Sequence, residues 1–163
     1  MGGLDFDPID EAARQWAGRW DAVASMRAVT SVMRAQQLLL ARLDGVLRPH
    51  DLTFSRYEAL VLLTFSRRGA LPMGKIGERL QVHATSVSSL IQKLQTSGYV
   101  ERVQHPSDRR AFLARITANG REVVERATAD LTFAEFGMDA LTEAERDGLF
   151  DVLRKLRQDA GDF

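Results

Sequence analysis

The chain has 163 residues, with 22 basic and 22 acidic side chains and no cysteine. This length fits one domain or two small lobes. Apolar residues make up 45% and charged residues 27%, which excludes collagen-like, low-complexity and membrane-spanning chains. The absence of cysteine excludes disulfides, thiolate metal sites and thiol nucleophiles. No apolar run approaches the roughly 18 residues of a membrane span and no signal-like segment is present, so we expect a cytoplasmic protein.

The zero net charge is a cancellation between segments of opposite sign. Residues 22–117 contain 14 basic and six acidic side chains, whereas residues 1–21 and 118–163 together contain eight basic and 16 acidic ones. A basic segment of this kind is typical of a surface that binds phosphates. The alternative is that solvated helix faces happen to segregate by charge.

Two helices are predicted before Pro49. Residues 9–20 form a short helix with Trp16 and Trp20 on one face. The 40 residues between Pro8 and Pro49 contain no proline, and apolar side chains recur there at spacings of three and four, which predicts a long helix ending at Arg48. Its apolar face contains Val29, Val32, Met33, Leu39, Leu40, Leu43, Val46 and Leu47.

A shorter helix is predicted next. Thr53 or Ser55 caps it, Ser55 with Glu58 matches a capping box, and its buried side carries Leu60, Leu63 and Phe65. Two further short helices, at 74–80 and 84–97, are joined by residues 81–83 and form a helix-turn-helix, with His83 capping the second helix. Alternating strands at 99–103 and 111–116 then enclose a charged turn, which predicts a β-hairpin.

The last segment contains two more predicted helices. Thr117 caps the first, and its apolar stripe of Val123, Val124, Ala127, Leu131 and Ala134 runs to about Gly137. Thr142 and Glu145 form a capping box for the final helix, whose stripe contains Leu149, Val152, Leu153 and Leu156.

The predicted fold is therefore mainly α with a small β-hairpin wing. We expect residues 1–48 to form N-terminal helices of a dimerisation lobe, residues 49–117 a winged helix-turn-helix, and residues 118–163 C-terminal dimerisation helices. The apolar stripes of the terminal helices lie outside the winged unit and need a partner surface, which a second copy would supply. A monomer whose terminal helices fold back on the winged unit is the alternative.

The second helix of the helix-turn-helix carries the candidate DNA-binding side chains. Hydroxyl and amide groups there can hydrogen-bond base edges and phosphates, and a lysine can neutralise a phosphate. These residues are Thr85, Ser86, Ser88, Ser89, Gln92 and Lys93. We assign the opposite face, Val87, Leu90, Ile91 and Leu94, to the core. At the hairpin tip, Arg109 and Arg110 are suited to a narrow, electronegative minor groove. The alternative for the helix is an ordinary solvated face, and the alternative for the hairpin tip is a loop salt bridge with no role in DNA binding.

Three runs of sequence resemble the MarR (multiple antibiotic resistance regulator) family over about residues 22–158. They are LTFSRYEAL at 52–60, ATSVSSLIQKL at 84–94 followed by Gly98-Tyr99-Val100, and the wing Ser107-Asp108-Arg109-Arg110 leading to Ile116-Thr117 and Gly120. The most specific element is the Asp-x-Arg motif of the wing.

This resemblance implies a homodimer that places its recognition helices in the major groove of double-stranded DNA and its wings along the minor groove. It implies that Asp108 pairs with a nearby arginine while Arg110 enters the minor groove. It further implies a small aromatic or lipophilic effector that weakens operator binding. We therefore expect a sequence-specific transcriptional regulator, most often a repressor, that acts on a pseudo-palindromic operator.

Four residues are candidates for effector binding. The N-terminal helix with Trp16 and Trp20 resembles the urate-responsive branch of the family, in which a tryptophan helps to close the ligand cleft. Tyr57 and Glu58 match an aromatic and acidic pair of that branch, but Leu90 stands where the branch has an arginine, so urate itself is not expected. The alternative is that both tryptophans belong to the dimer core.

Other classes of function have weaker support in the sequence. A winged-helix module for protein interaction, without specific DNA binding, is the alternative to a DNA-binding regulator. We find no Gly-rich phosphate loop, nucleophile with a base or carboxylate pair that would indicate an enzyme, and we expect no cofactor. His50, His83 and His105 are scattered, so no metal site is expected.

Overall fold

The computed structural model describes residues 4–106 and 111–163. The backbone divides into two compact units, residues 4–42 and residues 43–163. Among these residues, none of the helices combines the length and the apolar character needed to cross a membrane.

The first unit begins with a short capped helix, α1 (Pro8–Ala17). The Asp7 carboxylate accepts a hydrogen bond from the Ile9 N–H at 2.8 Å, and proline at the first helical position already has the required φ. The prediction that this helix extends to Trp20 is wrong. Helix α1 stops before Gly18, and the Trp16 indole N–H donates to the Asp21 carbonyl oxygen at 2.8 Å, which fixes the turn that follows.

Helix α2 (Val23–Leu47) ends at the predicted position. It is followed by a 3-10 turn (Arg48–His50), which Asp51 closes in the left-handed conformation at φ 53°. The last turns of α2 are anchored because Leu43 and Leu47 are buried in the core of the second unit. Upstream, much of the predicted apolar face is exposed in this single chain, at Val29, Val32, Met33 and Leu40.

The second unit contains the predicted helix-turn-helix. Helices α3 (Phe54–Phe65), α4 (Met73–Leu80) and α5 (Ala84–Thr96) pack on one another. Their fully buried side chains interdigitate in one apolar core, which includes Leu60, Leu63, Ile76, Val87, Ile91 and Leu94.

Helix α3 begins after Thr53, one of the two predicted N-cap residues, although the Thr53 side chain makes no capping hydrogen bond. The alternative cap at Ser55, with its capping box to Glu58, does not form because Ser55 already lies inside the helix. Instead, the Phe54 N–H donates to the carboxylate of Asp44 on α2 at 2.7 Å. Phe65, predicted to be buried, is 82% exposed, because it is the last residue of the helix and lies beyond the core.

The sheet has three antiparallel strands rather than the two predicted. Strands β2 (Val100–Gln104) and β3 (Phe112–Ile116) form the expected hairpin, and β1 (Ala70–Pro72) pairs with the other edge of β3. No sequence pattern indicates β1, since three residues are too few to show alternation. Pairing on both sides leaves β3 as the central strand.

The final helices follow their predicted caps. Thr117 caps α6 (Ala118–Phe133) by accepting the Gly120 N–H at 3.0 Å. A 3-10 turn (Glu135–Gly137) follows, and the Thr142–Glu145 capping box opens α7 (Glu143–Asp159). Helix α6 is buried along its stripe, but the stripe of α7 is largely exposed in the single chain, at Leu149, Val152 and Leu156.

Candidate nucleic-acid interface

Helix α5 presents one polar face to solvent and one apolar face to the core. The His83 imidazole caps its first turn by accepting the Thr85 N–H at 3.4 Å, as predicted. All six candidate DNA-binding residues of the helix are exposed: Thr85, Ser86, Ser88, Ser89, Gln92 and Lys93. On the opposite side Val87, Ile91 and Leu94 are buried. Leu90, expected in the core, is only partly buried and borders the exposed face.

A groove separates α5 from the first turn of α3. Ser55 and Arg56 line it on the α3 side, and Ser89 and Lys93 line it on the α5 side. The Arg56 guanidinium is oriented by the Asp51 carbonyl oxygen, which accepts a hydrogen bond from Nη1 at 3.0 Å. The groove also has apolar lining from Val82 and Leu90, and it carries two cations, Arg56 and Lys93.

A second groove lies between α5 and the wing. Ser88, Gln92 and Gln95 line it from the helix, and Arg102 lines it from β2. The guanidinium carbon of Arg102 lies 4.7 Å from the centroid of the Phe112 ring, a favourable cation–π geometry. Neither Arg56 nor Arg102 is identifiable from the sequence, because only the packed structure shows that they face these grooves.

The wing itself is defined by its two strands. On its outer face Arg115 and Glu101 form an ion pair of 2.8 Å. The wing-tip residues predicted to contact DNA, Asp108, Arg109 and Arg110, lie outside the described residues.

In the first unit, the two predicted effector residues lie close together although Trp20 is beyond the helix end. The ring centroids of Trp16 and Trp20 are 4.8 Å apart, with an angle of 56° between the ring planes. Trp20 is 58% exposed. Trp16 is partly buried and its indole N–H is bonded to a backbone carbonyl, so the exposed Trp20 ring offers the larger free surface.

In the second unit, the other two predicted effector residues have different environments. Tyr57 is buried, and its hydroxyl is 2.9 Å from the Thr128 hydroxyl of α6. Glu58 is exposed at the surface, but desolvation by the protein around its carboxyl group raises its pKa. The Tyr57 hydroxyl already has a partner within the protein, whereas the Glu58 carboxylate is accessible.

An apolar cavity of about 580 Å³ lies where the end of α6 meets α7. Its lining includes Phe136, Met138, Leu149, Phe150 and Leu153. The cavity is open and continues into the exposed stripe of α7.

His50 and His83 have separate structural roles. His50 Nε2 lies 2.6 Å from the Asp130 carboxylate, linking the turn after α2 to α6. His83 caps α5. Within residues 4–106 and 111–163, no three His, Asp or Glu side chains are grouped so that they could hold a metal ion.

A helix-turn-helix combined with a three-stranded antiparallel sheet, in which the strands after it form a hairpin, defines a winged helix-turn-helix protein. A family model described as MarR family matches residues 50–111. The crystal structure of Sco5413, a MarR family transcriptional regulator from Streptomyces coelicolor, matches this chain with a TM-score of 0.81 and 54% sequence identity. The match covers 87% of this chain and 99% of Sco5413. The chain therefore belongs to the MarR family of transcriptional regulators.

Two more distant relatives extend the comparison. Sco3205, another MarR family regulator of S. coelicolor solved in complex with DNA, is 26% identical with a TM-score of 0.76, covering 86% of this chain and 89% of that one. The regulator TtmR of Methylorubrum extorquens is 31% identical over 115 residues, or 71% of this chain. The chain spans 57% of the length of TtmR and 53% of that of BilQ from Clostridioides difficile.

Proposed function

We propose that this chain binds double-stranded DNA as a homodimer, reads a pseudo-palindromic operator and represses transcription. The observation that carries this proposal is the polar, exposed face of α5, since all of its candidate contact residues face solvent while the opposite face is anchored in the core. A rigid helix that presents hydroxyl, amide and ammonium groups is suited to the major groove. The solved complex of Sco3205 with DNA supports this function.

The proposed dimer rests on the apolar surfaces of the terminal helices. The exposed residues Val29 and Met33 on α2, and Val152 and Leu156 on α7, are each 58 to 64% accessible. Exposed apolar helix faces favour association. A two-fold dimer would bring two recognition helices to two half-sites. We accordingly propose residues 1–48 and 118–163 as the dimerisation segments and residues 49–117 as the DNA-binding lobe.

We further propose a small aromatic or lipophilic ligand as the effector, and within each unit by itself the candidate contacts are Trp16 and Trp20 in the first and Tyr57 and Glu58 in the second. The exposed Trp20 ring and the accessible Glu58 carboxylate are the features that support this assignment. A titration of candidate aromatic ligands, followed by tryptophan emission and by release of bound DNA, tests it. A ligand that releases DNA equally from wild type and from Trp20→Phe and Glu58→Gln variants would contradict these contacts.

The DNA-binding proposal is tested by fluorescence anisotropy with a labelled duplex at several salt concentrations. We expect salt-dependent binding, and we expect Lys93→Ala to lower the slope of log K against log salt by about one unit because one phosphate contact is lost. Lys155→Ala on α7 is the charge-matched control and should leave the slope unchanged. Absence of salt-dependent binding by the wild type would favour the protein-interaction module.

The wing is tested in the same way. Arg110→Ala should weaken operator binding by roughly 1–3 kcal/mol and lower the salt slope by about one unit. An unchanged affinity and slope would overturn the proposed role of Arg110 in the minor groove.

A further inference from the structure

The two grooves beside the recognition helix α5 each contain an arginine that the proposed set of DNA contacts does not include. Because an α-helix turns about 100° per residue, Ser89 and Lys93 follow one side of α5 and Ser88 and Gln92 follow the other. The first side faces the groove that contains Arg56, and the second faces the groove that contains Arg102. The exposed strip of α5 therefore lies between two guanidinium groups.

Contacts with Asp51 hold the Arg56 side chain in place beside its groove. Its Nη1 donates to the Asp51 carbonyl oxygen at 3.0 Å, and the nearest Asp51 carboxylate oxygen is 3.9 Å away. That carboxylate is itself engaged, because its other oxygen accepts the Ser97 hydroxyl at 2.6 Å. The Arg56 side chain is 20% exposed, so its position is restrained and its remaining N–H donors are available to the groove.

On the other side of α5, the hairpin holds the Arg102 side chain in place. In the register of the hairpin, Arg102 pairs with Ala114, and Val100 pairs with Ile116. Side chains two residues apart on a strand share a face, so Arg102 extends the face on which Val100, Ala114 and Ile116 are buried. Its guanidinium stacks on Phe112 and makes no ion pair with any residue that the structure describes.

We propose that Arg56 and Arg102 bind backbone phosphates of DNA on the two sides of the major groove that α5 enters. This inference rests on the proposed DNA binding and adds to it the residues that fix the helix in the groove. Phosphate contacts of this kind set the register and orientation of a protein on the duplex. Planar guanidinium groups suit phosphate oxygens because they donate two parallel hydrogen bonds.

The inference is tested by anisotropy titration of the full chain with a labelled duplex of random sequence, since phosphate contacts do not depend on sequence. Arg56→Ala and Arg102→Ala are each expected to weaken binding about tenfold and to lower the salt slope by about one unit. Arg115→Ala is the matched control, because Arg115 lies on the outer face of the same hairpin, paired with Glu101. It changes the net charge equally and should leave the slope unchanged.

A lysine at either position separates a phosphate contact from a structural role. Arg56→Lys and Arg102→Lys should retain the wild-type salt slope, because the charge remains, even if thermal stability falls. If the wild type binds and Lys93→Ala lowers the slope, but both arginine-to-alanine variants keep the wild-type slope, the inference is overturned and the proposed function stands. If the wild type shows no salt-dependent binding, the proposed function fails and the inference fails with it.

Discussion

At the scale of single residues, close contacts around the start of α6 decide which side chains the chain tolerates. A Cβ at Gly120 would lie 2.2 Å from the Tyr99 carbonyl oxygen and 2.8 Å from Ile116 Cγ1. The Tyr99 carbonyl cannot move freely, since it lies directly before β2 and accepts the Thr117 N–H at 3.0 Å. Ile116 is buried in the core. The position therefore requires glycine because backbone and helix meet there without room for a side chain.

Gly120→Ala is expected to lower the free energy of unfolding by about 2 kcal/mol or more, because the overlap forces α6 away from the sheet. Gly45→Ala is the control. Gly45 lies inside α2, and a Cβ there would have no heavy atom within 4 Å, so alanine should stabilise by about 0.5–1 kcal/mol. Urea unfolding at one fixed protein concentration measures both changes, and equal effects of the two substitutions would contradict this packing.

Glu58 makes stability depend on pH. Because desolvation raises the pKa of its carboxyl group, the folded chain holds the proton more tightly than the unfolded chain does. The resulting stabilisation is fully present below the unfolded pKa, which is about 4.3, and it is lost as the pH rises through the raised folded pKa. At neutral pH the ionised Glu58 is therefore a cost to folding.

Glu58→Gln should accordingly raise the melting temperature at pH 7, and this gain should shrink as the pH is lowered toward 4. Glu125→Gln, on an exposed part of α6, controls for the loss of one negative charge. Circular dichroism melts across this pH range provide the measurement. A gain that is independent of pH would show that desolvation of Glu58 is not its cause.

At the scale of elements, features that depend on local sequence motifs were predicted well, whereas features that depend on long-range contacts were not. The His83 cap, the Thr142–Glu145 capping box and the end of α2 were all predictable, because each depends on residues within a few positions. The hydrogen bond from the Phe54 N–H to Asp44, ten residues away, was not predicted, and β1 was missed because it is defined by its pairing with β3.

The same distinction applies to the candidate site. The polar face of α5 follows from helical periodicity alone, so its six residues could be named from the sequence. The groove positions of Arg56 and Arg102 depend on the packing of α3 and of the wing against α5. No spacing rule relates residues so far apart in the chain.

The exposed stripe of α7 leads to a prediction about assembly. Leu156→Glu places a charge in the proposed dimer surface and should shift the chain toward monomer, because an unpaired charge is costly to bury. Gln158→Glu adds the same charge on the opposite side of the helix and should leave the dimer intact. Sedimentation velocity distinguishes the two states. A dimer that is unaffected by Leu156→Glu would exclude this face from the interface.

At the scale of the whole molecule, the winged helix-turn-helix is basic, whereas α1, α6 and α7 lie in acidic segments. Residues 49–117 contain ten basic and five acidic side chains. Helix α2 is the exception, because it lies in the basic segment 22–117 although it belongs to the proposed dimerisation residues 1–48. A neutral chain should bind random DNA only moderately, while its basic lobe still attracts the phosphate backbone.

The central claim is that two copies of this chain read DNA together, and selection of binding sites from random duplexes by the purified protein tests it most directly. We expect the selected sequences to share a pseudo-palindrome whose half-sites are about one helical turn apart, because a two-fold dimer places its two α5 helices in successive major grooves. Enrichment of a single asymmetric site, or no enrichment at all, would contradict the claim.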